Sequence, residues 1–329
     1  MHILKNTNFD FVRWRWHAIA LSWIIVIGGL IAISRFGIPL GVEFSGGSIV
    51  IVKFDRQADL QQVRTALEKS LPGVGENALV QRYGDPSSNQ VMVRVPSVGA
   101  EAGGSLSQTA DSVSSALKAA NLGNPQVVGT EIVGPSVGRQ LTRQGLLATL
   151  FALIGILIYV AFRFRFSFAV GAVVATIHDL LITLAFLAFF RYDLSLNVIA
   201  AILTITGYSV NDTIVIFDRV RENMGRSRGK PLAEIINASV NQTLGRTIIT
   251  AGTTLLSVLA LFFFGGEVLK AFAFTMIVGI ITGTYSSVFI AAAIVVIWQG
   301  RTPLKTAPAA PVAPARKSGN KTGKRARAS

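Results

Sequence analysis

Two aspartates stand inside long apolar runs of this 329-residue chain. Asp179 follows His178 midway along 167–190, and Asp212 lies in Gly207-Tyr208-Ser209-Val210-Asn211-Asp212-Thr213, toward the end of 194–217. An Asp at the centre of a bilayer span costs about 2.5–3.5 kcal/mol on insertion scales. Such residues therefore face a bundle interior or a wet cavity, and three chemistries compete for them. They are neutral, hydrogen-bonded structural carboxyls; or a proton or cation site; or an aspartyl-protease dyad. The dyad needs adjacent carboxyls sharing a proton, whereas these two sit at different depths. Asp212 precedes Arg219 by seven residues, roughly 10 Å at ~1.5 Å per residue. Arg246, opening the next apolar run from the same side, has the reach to meet it there. An Asp–Arg pair stays charged more cheaply than either group alone, and protonating the carboxyl would release the guanidinium as a two-state element. The competing reading of Arg246 is a plain basic flank. Asn211 and Thr213 beside Asp212, with Thr204, Thr206, Ser209, Thr247, Thr250, Thr253, Thr254 and Ser257, make the fourth and fifth runs unusually polar. Hydroxyl-rich faces pack helices closely and can hold water. Gly207, and Gly279 with Gly283 at GxxxG spacing, read as helix-packing positions; Thr284 and Ser286-Ser287 read as packing rather than chemistry.

The elements that must position these groups are bilayer spans. Hydrophobic residues make up 51% of the chain and charged residues 15%, with mean hydropathy +0.53. Apolar runs at 17–36, 145–162, 167–190, 194–217, 247–264 and 271–298 each approach the ~20 residues a span requires. The net charge of +14 suggests nucleic acid at first sight, but its distribution argues for orientation instead. Segments 1–16, 163–166, 218–245 and 299–329 share one side and carry 18 Lys and Arg against four acids, whereas the opposite side is nearly balanced. Both termini are therefore expected in the cytoplasm, and no specific nucleic acid is expected as a partner. Arg13, Arg15 and His17 precede the first run as in a signal peptide, but no small-x-small cleavage site follows, so it reads as an uncleaved anchor. With no cysteine, disulfides and thiol chemistry are excluded.

The domain organisation follows. A cytoplasmic N-terminus (1–16) leads to the first span (17–36) and to an α+β domain (37–144) on the far, periplasmic side. A five-helix membrane bundle (145–300) is next, and a basic tail (301–329) ends the chain. Within 37–144 the spacing predicts strands near 48–54, 78–83, 90–95 and 126–133 and helices near 59–71 and 107–120. The first helix stops at Pro72-Gly73 and a turn cluster occupies Gly84–Asn89. The order β-α-β-β-α-β predicts a split βαβ, ferredoxin-like sandwich. Without His, Cys or a phosphate loop it reads as a docking or substrate-handling module, not an enzyme. Near 231–246, Leu232, Ile236, Val240 and Leu244 recur every four residues and predict an amphipathic helix on the cytoplasmic surface that feeds into the fifth span. The Pro/Ala-rich, then Lys/Arg-rich tail cannot fold alone. It is left lying against anionic lipid head groups, against ribosomal RNA, or simply solvated.

One family accounts for these features together. The run from Gly207 through Asp212 and Arg219 to Asn223 resembles the fourth-span signature of the SecD/SecF family of the resistance-nodulation-division superfamily. Glu43-Phe44-Ser45-Gly46-Gly47 resembles its Asp-Phe-x-Gly-Gly motif, with Glu43 where Asp is usual. His178-Asp179, Asn241–Thr247 and Gly283–Ser287 also match, so the resemblance covers about 1–300. It implies an ion-driven motor subunit of the bacterial inner membrane. Such a subunit pairs with SecD, associates with the SecYEG channel, YajC and YidC, and promotes late export of unfolded polypeptide on the periplasmic side. It implies no cofactor beyond a transported H+ or Na+. It also implies that Asp212 and Arg246 are the ion-coupling groups, acting with an Asp supplied by SecD. Two rivals are an ion-driven small-molecule or lipid exporter half of the same superfamily and a purely structural stabiliser of the channel.

Overall fold

The computed structural model describes residues 7–71, 75, 78–96, 106–164, 166–227 and 229–299. The Pro72-Gly73 stop and the basic tail lie outside them. Among the described residues six helices are long and apolar enough to cross a membrane, and a small sheet domain is inserted between the first two. These helices are α1 (Arg15–Phe36), α5 (Pro135–Arg163), α6 (Phe166–Phe190), α7 (Leu196–Arg226), α8 (Leu232–Phe264) and a last span. The last span comprises α9 (Gly266–Ser286), a π-turn (Ser287–Ala291) and α10 (Ala292–Gln299). Three helices clearly outrun the apolar stretches, the first being α5, which begins at Pro135, well ahead of 145. The surface helix predicted near 231–246 is continuous with the fifth span, so α8 is a single rod, and α7 continues through Asp218–Arg226. Hydropathy marks where lipid ends, whereas the backbone ladder continues wherever helix formers such as Arg221, Glu222 and Met224 follow.

The inserted domain runs α2 (Val42–Ser45), β1 (Gly47–Lys53), α3 (Leu60–Ser70), β2 (Leu79–Tyr83), β3 (Gln90–Pro96), α4 (Leu106–Ala119) and β4 (Gln126–Val133). All pairings are antiparallel, in the order β2-β3-β1-β4. This is the split βαβ sandwich that the sequence predicts. Period-two alternation turns Val50, Val52, Val91 and Val93 toward Val63, Leu67, Val113 and Leu117 of the two helices, closing an apolar core around Phe54. Asp59 caps α3 by accepting the Gln61 N–H at 2.9 Å. Gly46 and Gly47 have φ of 70° and 134°, a backbone that L side chains rarely adopt. Their turn delivers β1, and the start of α5 packs on it: a Cβ at Gly138 would lie 3.0 Å from the Phe44 carbonyl. Gly47 pairs across the sheet with Val133, so the chain enters and leaves the domain side by side. The domain also meets the α6–α7 turn. Leu40 forms a parallel bridge with Leu194, and Arg94 on β3 pairs with Asp193 at 2.6 Å.

In the membrane bundle, close approach rests on small residues. A Cβ on Gly29 of α1 would collide with Ala185 of α6, and one on Gly279 of α9 with Ile205 of α7. With lipid on the outside as apolar as the helices themselves, such backbone proximity is what holds helices together.

Candidate functional site in the membrane bundle

Helical periodicity places the site. On α6 the buried positions Ala172, Ala175, Thr176, Asp179, Ile182 and Thr183 form one inward stripe. On α7, Ile202, Ile205, Thr206, Ser209, Thr213 and Ile216 do the same, leaving Asp212 at the edge of the stripe and half-buried. On α8 the buried stripe is Ile236, Val240, Thr243 and Thr247. The last span closes the arrangement with Thr275, Thr282, Ser286 and Ser287, all buried.

Most buried hydroxyls here bond back to their own helix: Thr176 to the Ala172 carbonyl, Thr206 to Ile202, Thr243 to Ser239, Thr275 to Ala271 and Thr282 to Val278. Four reach across to carboxylates, Ser286 and Ser287 while also touching carbonyls of their own helix. Asp179, 3% exposed, accepts the Ser209 hydroxyl at 2.5 Å and the Ser286 hydroxyl at 2.8 Å. Its other oxygen lies 3.0 Å from His178 Nδ1. Asp212 accepts Thr247 at 2.7 Å on one oxygen and Ser287 at 2.7 Å on the other. The two carboxylates do not share a bond with one another. They are caught instead by consecutive serines at the head of the π-turn, so the shared-proton dyad has no geometric basis. His178 stacks on Tyr285, ring centroids 6.2 Å apart, and its Nε2 is buried without a partner. Tyr285 donates to the Ala18 carbonyl at 2.7 Å and accepts Ser22 at 3.3 Å, tying the cluster to α1.

Three sequence expectations change. Asp212 and Arg246 make no ion pair within 4.0 Å. Thr247 takes the place beside the carboxylate because it lies on the inward face of α8, and Arg246, one residue earlier and about 100° around the helix, is exposed. Gly207 meets no other element among the described residues: beyond its own helix, nothing lies within 4 Å of where its Cβ would stand. The α7–α9 contact runs along Ile205 and Ser209 instead, where Gly279 and Gly283 do allow the approach. Ser286 and Ser287, read as packing residues, are hydrogen-bond donors to the carboxylates; the signal that could have found them is the coincidence of two adjacent hydroxyls with two intramembrane acids. Thr213 is buried beside the site and Asn211 is exposed. Thr204, Gly207 and Asn211 on α7, with Arg246, Thr250, Thr253 and Ser257 on α8, form polar stripes along the apolar helices that no described element covers. Far from this site, Glu43 is half-buried and Phe44 buried, in the turn that Gly46 and Gly47 complete.

The family profile described as protein export membrane protein SecD/SecF, C-terminal, matches residues 112–301, and the SecD/SecF GG motif matches 31–58. The chain belongs to the SecD/SecF protein-export family. Among its relatives, the protein translocase subunit SecF of Desulfurispirillum indicum is 42% identical over 91% of this chain and 94% of its own length. That of Pseudomonas aeruginosa is 43% identical over the same shares. That of Escherichia coli O157:H7 is 38% identical over 87% of this chain and 86% of its own. In the crystal structure of SecDF from Thermus thermophilus, titled a translocon-associated membrane protein, the match has TM-score 0.79 and 35% identity and covers 92% of this chain. This chain spans 40% of the SecDF chain's length. The SecD/SecF match makes this chain a multi-pass membrane protein of the export type and favours that reading over the exporter and stabiliser alternatives.

Proposed function

We propose that this chain is the SecF-type subunit of a SecD–SecF accessory complex, converting the proton (or sodium) motive force into late steps of protein export across the bacterial inner membrane. The observation that carries the reading is the Asp212 carboxylate, set at membrane depth and held by hydroxyls from α8 and the last span. Beside it run stripes bearing Asn211 and Arg246 that are exposed in this chain. Polar and charged side chains left against lipid are expensive; a second membrane bundle covers them in this account, and SecD is that bundle. Its acid and Arg246 then complete the ion site around Asp212, Arg246 meeting the carboxylate only in the assembled pair. The basic excess of 1–16 and 218–245 supports cytoplasmic termini and a periplasmic α+β domain. There the domain works on emerging polypeptide together with SecYEG, YajC and YidC.

The energetics allow it. One charge crossing 100 mV releases about 2.3 kcal/mol, and each pH unit adds about 1.4 kcal/mol per proton, together enough to shift a two-state equilibrium by more than about a hundredfold. A proton bound on Asp212 removes the charge that Thr247 and Ser287 now stabilise, and its loss on the other side restores that charge. Asp212→Asn, reconstituted with its SecD-type partner, is expected to assemble normally and to lose gradient-dependent export. Full gradient-dependent export in that variant would overturn the motor reading.

A further inference from the structure

The last span changes helical form at Ser287, and that change separates two grips. Ser286 ends α9 and donates to Asp179; Ser287 opens the π-turn and donates to Asp212. Each hydroxyl also touches its own helix, at the carbonyls of Gly283 (3.2 Å) and Thr284 (3.0 Å). Neighbouring helical residues point about 100° apart, so one dipeptide serves two different helices. Single π-turns inside α-helices occur mostly at functional sites. This one is seated closely: a Cβ at Gly171 of α6 would stand 2.9 Å from the Ala291 carbonyl at its far end.

The two ends differ in how firmly they are held. Asp179 keeps Ser209 from α7 and His178 from its own helix when Ser286 lets go, and it is sealed from solvent. Asp212 is half-buried and, among the described residues, accepts hydrogen bonds from Thr247 and Ser287, each from a separate helix, with Arg246 and Tyr208 as its other polar neighbours. A hydroxyl bonded to a carboxylate is charge-assisted and roughly twice as strong as one bonded to a neutral acceptor. Taking a proton onto an Asp212 oxygen, and nothing else, therefore weakens the Ser287 grip while leaving the Ser286 grip intact.

We propose that Ser286 and Ser287 form a two-ended coupling element. Ser286 anchors the last span to the fixed His178–Asp179 pair, and Ser287 reads the charge on Asp212, so that each protonation cycle shifts the π-turn about a held end. Ser286 and Ser287 are positioning residues in this account, and the proposal rests on the reading of Asp212 as the ion site. Its own signature is uncoupling, not loss of ion movement.

The test uses the full chain with its SecD-type partner in proteoliposomes under an imposed proton gradient, reading proton flux and gradient-stimulated export separately. A hydrogen bond to a charged group shifts a two-state equilibrium about tenfold to a hundredfold. Ser287→Ala is therefore expected to cut stimulated export by about tenfold or more, a larger fractional loss than that of proton flux, because Thr247 still holds Asp212. Ser287→Thr, which keeps the hydroxyl, restores export. Ser286→Ala gives the smaller loss, because Ser209 and His178 still hold Asp179. Where Ser287→Ala fails to assemble, Ser287→Cys, a weaker donor of similar size, supplies the comparison with an intermediate loss. Normal stimulated export in Ser287→Ala, or flux and export falling together, overturns the coupling element. Undiminished flux in Asp212→Asn instead overturns the ion-site reading beneath it, so the two failures are distinguishable.

Discussion

The inserted domain and the membrane bundle solve the packing problem in opposite ways. The domain buries Val, Leu and Phe against one face of a sheet, and its core contains no charged group. The bundle buries Asp179 and a dozen or so Ser and Thr hydroxyls, and brings helices together through Gly29, Gly279 and Gly283. In water, removing apolar surface drives folding at about 25 cal/mol per Å². In lipid that gain is absent, so close backbone contact and paired polar groups must define the structure. The bundle is consequently the region in which a change of one proton can alter packing; among its described residues the domain has no fully buried titratable group to respond.

Substitutions can break this contrast in order of expected effect. Phe54→Ala empties the centre of the domain and should cost about 3–5 kcal/mol, read as lost hydrogen-exchange protection of the sheet amides in the full-length protein while bundle amides stay protected. Gly279→Leu drives a side chain into Ile205 and should cost about 1–3 kcal/mol, read as a lower midpoint of thermal unfolding in detergent. Ile205→Ala should recover part of that loss, a rescue no apolar-burial account predicts. Gly47→Ala forces a Cβ onto a φ of 134° and should cost about 1 kcal/mol, read as earlier proteolysis at the GG turn. The smallest effect is electrostatic. Asp85 accepts the Ser87 N–H at 2.8 Å and its hydroxyl at 2.7 Å, which hold the carboxyl below its ordinary value of 3.8. Its folded value being depressed, this support is present above pH 3.8 and fades as pH falls further. A slight loosening of the β2–β3 turn below that pH, absent in Asp85→Asn, should appear in amide exchange.

Much of the fold was legible in the sequence because its signals are local. Alternation marked β1 and β3, turn residues marked Gly84–Asn89, and long apolar runs marked the six spans. The intramembrane acids were legible for the same reason: a carboxyl in an apolar run stands out whatever surrounds it. What surrounds it was not legible. Whether Arg246 or Thr247 faces Asp212 depends on the rotation of α8 by one residue, and hydropathy, nearly uniform around such a helix, carries no record of that rotation. The Ser286–Asp179 and Ser287–Asp212 bonds join residues 107 and 75 positions apart, and the Arg94–Asp193 pair joins the sheet to a turn 99 positions away. No periodicity encodes such meetings. Gly207 shows the converse: a small residue in a span reads as a contact, yet the contact partner belongs to another chain or to none.

The pairing of Gly47 with Val133 has a mechanical consequence. Because the two ends of the inserted domain leave from facing positions on adjacent strands, its covalent attachment is one narrow stalk, with the contact at the α6–α7 turn as a second tether. A small rotation at the Gly46–Gly47 pivot would carry the β2 edge through a larger arc than the stalk itself, and the Arg94–Asp193 salt link has to part for it.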